Sequence, residues 1–258
     1  MEKPEEDPMG MVFEDREDAG RRLAAALPQF RGQPDTVLLG LARGGIPVAA
    51  AAAAALHLPY GALLVRKLGI PGHEETAFGA LAYARAIAAW GAAQAEDGGS
   101  EAGPAGLAEG RGSESAETGR IVRLLNRPLV ERILETGGKQ EWLDLVEHRE
   151  RDELMRRARS YPGAALPLGG KTVVLVDDGL ATGATMRAAV EAARAAGAAR
   201  VVAAAPVGSI EAERSLSRVC DVLCLHLPGK FRAVGSFYRS FEQLTDDDAI
   251  GLLHGANA

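Results

Sequence analysis

Val173-Val174-Leu175-Val176 runs without a break into Asp177-Asp178, and then into Gly179-Leu180-Ala181-Thr182-Gly183-Ala184-Thr185. An unbroken, β-branched apolar run suits a strand buried on both faces, and such strands sit in parallel sheets with helices packed on each side. The small residues after the aspartates make a turn. The stretch from Ala184 to Ala196, stopped at Gly197, then reads as a helix. Strand, acidic loop and helix in this order form part of a βαβ unit.

The same grammar recurs along the chain. Thr36–Leu41 reads as a strand, Ala42-Arg43-Gly44-Gly45 breaks it, and Pro47 suits the first turn of the Ala-rich helix that follows. Strands at Ala62–Arg66, Lys171–Val176, Arg200–Pro206 and Val222–Leu225 bring the expected total to five. Parallel strands joined by helical crossovers predict a doubly wound α/β sheet, here a single domain over 11–258. Ligands of such sheets bind at the carboxyl ends of strands, which nominates the loops 42–45, 67–76 and 177–185.

Other segments are assigned by their punctuation. Asp15 caps a helix that stops at Pro28, and Gln140–Ser160 is a charged helix with Trp142, Leu145, Val146 and Leu154 as its apolar stripe. Its many charges are expected to form a solvated face. Pro71-Gly72 marks Ile70–Thr76 as an exposed loop. Residues 1–10 are expected to be a loose tail. Residues 91–119, nearly devoid of large apolar side chains, are expected to be a disordered insertion.

Composition removes several functions. A formal charge of −6 gives no basic field for nucleic acid, so any polyanion must be held by a local cluster of donors. Aromatic residues are 5% of the chain against 47% apolar, so the core is aliphatic. Cys220 and Cys224 stand alone on and beside a strand and read as small buried hydrophobes. The acidic N-terminus lacks a signal pattern, and the apolar run Val48–Leu58 is half the ~20 residues of a membrane span, so a soluble cytoplasmic protein is expected. The motifs G-x-S-x-G, H-E-x-x-H and G-x-x-x-x-G-K-[ST] are absent.

What the 177–185 loop carries is more specific. Adjacent carboxylates repel, so Asp177-Asp178 calls for a cation or for hydroxyl donors, and oxygen ligands of this kind suit Mg²⁺ shared with a phosphate. Ala181-Thr182-Gly183-Ala184-Thr185 precedes a helix, where free backbone N–H groups and the helix dipole favour an anion, and Thr182 and Thr185 add hydroxyls. A plain strand–turn–helix would use one Asp as a cap and one Thr in the turn, which leaves the rest of the pattern unexplained. A sugar with hydroxyls and a phosphate fits all of it.

The run resembles the 5-phosphoribosyl-1-pyrophosphate signature of type I phosphoribosyltransferases. The resemblance implies that Asp177 and Asp178 engage ribose hydroxyls, directly or through Mg²⁺, and that residues 181–185 wrap the 5-phosphate. Ala42-Arg43-Gly44-Gly45 is similar to the family's pyrophosphate loop. Val65-Arg66-Lys67 through Gly72 resembles the start of its flexible catalytic loop, where Arg66 and Lys67 are otherwise ordinary solvated charges. Ala181 stands where 6-oxopurine enzymes carry Asp, which argues against that mechanism. Adenine-type enzymes place a Glu in the mobile loop, and Glu74 and Glu75 are its candidates here. Near Lys230, Phe231 and Arg232, the segment Gly235–Phe241 is either an aromatic face for a base or a short helix with Phe237 and Phe241 as core anchors, the latter preferred. The resemblance implies an enzyme that ribosylates a nitrogen acceptor, commonly a dimer. The alternatives are a sensor that keeps the pocket without catalysis and a structural partner in a complex.

Overall fold

The computed structural model describes residues 13–70, 73–87, 121–161 and 168–255. The expected tail at 1–10 and insertion at 91–119 lie outside the described residues. Helix α1 (Arg16–Ala25) starts at its Asp15 cap, whose side chain accepts the Asp18 amide at 2.8 Å. Then follow β1 (Thr36–Leu41), α2 (Gly45–Leu56), β2 (Tyr60–Ile70), β3 (His73–Ile87) and β4 (Val122–Leu125). Helices α3 (Arg127–Glu135) and α4 (Gln140–Ser160) lead to β5 (Thr172–Val176), α5 (Ala184–Ala195), β6 (Arg200–Val207), α6 (Ile210–Leu216), β7 (Asp221–His226) and α7 (Asp246–Gly255).

One seven-stranded sheet runs in the order β4-β3-β2-β1-β5-β6-β7. The five strands β2-β1-β5-β6-β7 are mutually parallel, as the sequence led one to expect. Alternation along each strand sends Val37, Leu39, Val173, Leu175 and Ala203 to one face, against Met186, Ala189 and Val190 of α5. Leu38, Val174 and Val202 go to the other, against Leu23 of α1 and Val48, Ala52 and Leu56 of α2. Helices thus cover both faces. The chain leaves β1 toward one edge and β5 toward the other, so the topological switch point lies between those two strands.

Three expectations are corrected. The loop expected at 67–76 is largely strand: β2 continues through Arg66 and Lys67 to Ile70 and pairs antiparallel with β3, with Arg66 opposite Leu81 and Lys67 opposite Ala80. The hairpin supplies β2 with a partner where the glycine and proline signals suggested none. The apolar stripe of α4 is Leu143, Leu154 and Ala158, packed on β2 and β3, while Trp142 and Leu145 are 48% and 70% exposed. Docking of α4 on the sheet turns Arg149, Glu150 and Arg157 toward a cavity instead of leaving them on a solvated face. Finally, Phe237 ends a short 3₁₀ turn (Val234–Phe237), the chain is extended at Tyr238, and Phe241 follows outside any helix. Phe237 and Phe241 are therefore not neighbours on one helix face, although both pack on the cluster of Phe13 and Tyr238. Tyr238 between them is 6% exposed.

Candidate functional site

The switch point brings the loop after β1 against the loop after β5. Leu41 ends β1, the Ala42-Arg43 peptide bond is cis, and Gly44-Gly45 open α2. A Cβ at Gly44 would overlap the Asp178 carboxylate, and one at Gly45 would overlap the Val176 carbonyl. Neither glycine has a positive φ. What both positions require is space between two strand ends, not backbone freedom.

The acidic loop is held from several sides. Leu180 is buried and donates its amide to the Val207 carbonyl at 2.9 Å, while its own carbonyl accepts from Ser209 at 2.9 Å. The Ser209 hydroxyl donates to the Ala181 carbonyl at 2.7 Å. Gly183 takes a left-handed φ of 71° and α5 starts at the next residue, where the Ala184 amide donates to Thr182 Oγ1 at 3.4 Å. The turn thus leads directly into the positive end of α5.

Asp177 and Asp178 are half-buried side by side, and the Asp178 amide donates to Asp177 Oδ1 at 3.0 Å. Burial, and then the charge of Asp178, holds the Asp177 carboxyl well above the usual carboxylate range. Burial also raises Asp178, against the pull of Arg16. Arg16 Nε donates to Asp178 Oδ2 at 2.9 Å, and the Tyr238 hydroxyl donates to the Asp178 carbonyl at 2.7 Å. Replacing Tyr238 with Phe removes that bond from a buried carbonyl. It should cost about 1 kcal/mol in chemical denaturation.

An open cavity of about 1070 Å³ lies at this end of the sheet. Ala42, Arg43 and Gly44 line it from the first loop, Asp178 and Thr185 from the second, and Arg66 and Lys67 from β2. Gly45, Asp177, Ala181, Thr182, Gly183 and Ala184 are behind or beside these residues and do not line it. Arg66 is held by Glu150 of α4, with Nε donating to Oε2 at 2.6 Å. Lys67, the next residue on the strand, also lines the cavity, and its charge pulls on the Asp177 carboxyl against the burial that raises it. Asp246 at the start of α7 collects Arg43 Nε at 4.0 Å, Arg157 Nε at 3.7 Å and the Tyr161 hydroxyl at 3.2 Å. Glu74 and Glu75 lie on the backbone of β3, and their side chains are outside the described residues.

Sequence reasoning missed Arg16, Glu150 and Asp246. For Arg16 a signal existed: it opens α1, and a cation at the positive end of a helix is unfavourable without another partner. Cys220 and Cys224 are free and half-buried away from the cavity, and burial pushes the Cys224 thiol up to about 11, which agrees with an inert reading. Among the described residues no helix is long and apolar enough to cross a membrane.

With a doubly wound sheet and an acidic, threonine-bearing loop at its switch point, the chain carries a phosphoribosyl transferase domain. The model of the phosphoribosyl transferase domain matches residues 149–234, from the middle of α4 to the start of the 3₁₀ turn. The chain is 39% identical over 249 residues to "Putative phosphoribosyl transferase Rv0571c" of Mycobacterium tuberculosis H37Rv. A protein of strain CDC 1551 of that species, "Putative phosphoribosyl transferase MT0597", matches equally. Those alignments cover 95% of this chain and 47% of the relative, so the chain spans about half the length of the curated relatives it matches. The crystal structure of TT1426 from Thermus thermophilus is similar with 34% identity and a TM-score of 0.68, covering 94% of this chain and 98% of that one.

Proposed function

We propose that the protein transfers the 5-phosphoribosyl group of magnesium-bound 5-phosphoribosyl-1-pyrophosphate to a nitrogen acceptor, a nucleobase, and releases pyrophosphate. The observation that carries this is the meeting, in one cavity, of an acidic carboxylate, a threonine at a helix start and a glycine loop flanked by basic side chains. In this reading the 5-phosphate sits at 181–185, with amides of the first turn of α5 and the hydroxyls of Thr182 and Thr185 as donors. Asp177 and Asp178 accept the ribose hydroxyls. Arg43, with the backbone of Gly44 and Gly45, meets the pyrophosphate from one side, and Arg66 and Lys67 meet it from the other.

Among the described residues no group of three or more His, Cys, Asp or Glu side chains converges. Asp177 and Asp178 would hold a magnesium ion together with oxygens of the ligand, since Mg²⁺ is commonly held by one or two carboxylates plus phosphates. When bound it supplies positive charge to the leaving pyrophosphate. The C1–O bond breaks with its electron pair going to pyrophosphate, the lone pair of the acceptor nitrogen forms the C1–N bond, and the proton of that nitrogen passes to water. The protein's part is positioning and preorganised charge, without a covalent nucleophile.

Calorimetry with Mg²⁺ and 5-phosphoribosyl-1-pyrophosphate tests the reading, followed by pyrophosphate release over a panel of nucleobases. Binding at roughly micromolar to millimolar concentration, with release in the presence of at least one base, is expected. Binding without release for every base would assign a sensing role instead, and no binding at all would overturn the proposal.

A further inference from the structure

Arg16 is the least explained charge at the site. Its Nε donates to Asp178 Oδ2 at 2.9 Å, its Nη1 donates to the Glu242 carbonyl at 2.9 Å, and its guanidinium carbon stands 3.9 Å from the centre of the Phe241 ring. The side chain is 12% exposed and lines the cavity. Asp178 is its single ion-pair partner among the described residues. Gly44 packs close to the same carboxylate, and a Cβ there would overlap Asp178 Oδ2. No described side chain bonds Oδ1.

A tie between the N-terminal segment and the rest of the fold does not need this head group. Phe13 donates to the Phe237 carbonyl and accepts from Arg239, both at 2.8 Å, and Ser240 donates to the Glu14 carbonyl at 2.8 Å. The Phe13 and Tyr238 rings pack at 5.4 Å. Those contacts fasten residues 13 and 14 without the guanidinium. Two of its three nitrogens are bonded to Asp178 and to the Glu242 carbonyl, which fixes the head group in place.

We propose that Arg16 is a positioning residue: held on Phe241 and Glu242, it fixes the Asp178 side chain so that Oδ1 alone is offered to the hydroxyls of the bound sugar. The inference rests on the phosphoribosyl reading above. It separates the two halves of the ligand, since Arg16 acts on the sugar through Asp178 and its bonds go to Asp178 and Glu242, not to the 42–45 loop.

The full-length Arg16→Gln and Arg16→Lys proteins test this, with affinities for 5-phosphoribosyl-1-pyrophosphate and for pyrophosphate alone, each with Mg²⁺, read by calorimetry. Arg16→Gln should weaken the sugar ligand roughly thirtyfold, in line with loss of a coupled polar contact, and pyrophosphate by less than about threefold. Retained pyrophosphate binding shows that the variant is folded. Arg16→Lys keeps the charge and should recover part of the loss. Equal weakening of both ligands, or of neither, overturns the inference while leaving the phosphoribosyl reading in place. A wild-type protein that binds neither ligand overturns both.

Discussion

Asp177→Asn with Asp178→Asn should lower pyrophosphate release by roughly a thousandfold or more, the range seen when preorganised charge is taken from a reacting centre. The fold should survive, because neither carboxylate ties the sheet together. Stability separates the two positions. Asp177 is held well above the usual carboxylate range by burial and by Asp178, so its ionised form is a burden on the folded state. For a carboxyl raised on folding, the folded state binds more protons than the unfolded one between the two titrations, and stability falls as pH rises through that window. Asp177→Asn alone should therefore raise the melting temperature at neutral pH and flatten its decline with pH above the normal carboxylate range. Asp178→Asn gains less, since it leaves Arg16 without its partner. Thermal melts of the two single variants between about pH 4 and pH 8 would read the difference. A melting temperature for Asp177→Asn below that of the wild type at pH 7 would show that burial and repulsion do not govern this carboxyl.

Alanine at Gly44 and at Gly45 should fail in opposite ways although the residues are neighbours. At Gly45 the new methyl meets the Val176 carbonyl, fixed in the central strand pair β1–β5. Backbone cannot rotate away, so the start of α2 must move off the end of β5, at a cost of about 3 kcal/mol. At Gly44 the obstacle is the Asp178 side chain, and the backbone there is already right-handed helical, with φ −63° and ψ −31°, which alanine adopts freely. The side chain must turn aside and break its pair with Arg16. Gly44→Ala should thus weaken 5-phosphoribosyl-1-pyrophosphate at least about tenfold while changing the unfolding free energy by less than about 1 kcal/mol. Urea denaturation paired with calorimetry distinguishes the two outcomes. A Gly45→Ala protein as stable as the wild type would show that the start of α2 does not approach β5 as described.

What could be read beforehand was what the chain specifies locally. The apolar runs of β1, β5 and β6 are long enough to fix a buried strand by themselves, and Asp15, Gly183 and Gly197 mark helix ends through their own backbone or side-chain preferences. The β2–β3 hairpin was hidden because its second strand, Phe78-Gly79-Ala80-Leu81-Ala82-Tyr83, has few β-branched residues and is held by its partners instead of by its own propensity. The face of α4 could not be chosen from periodicity alone, since Trp142 and Leu145 make as good a stripe on paper as Leu143 and Leu154. The loops of the candidate site could be named from sequence, but their supports could not. Glu150 reaches Arg66 across 84 residues and Arg16 reaches Asp178 across 162, and local pattern names neither partner, although a cation opening α1 hints that Arg16 has one.

The weaving of residues 13–16 into 237–242 has a consequence for how the molecule is built. Arg16 and the Glu242 carbonyl are 226 positions apart, so their junction is among the longest-range contacts of the fold, and closing it costs more chain entropy than any step within the sheet. On a ribosome the first partner is made 226 residues ahead of the second. The parallel sheet can form in the meantime, which makes the clamp on Asp178 a late event: a protein with its strands already paired still lacks a fixed Asp178 side chain until its two distant segments meet.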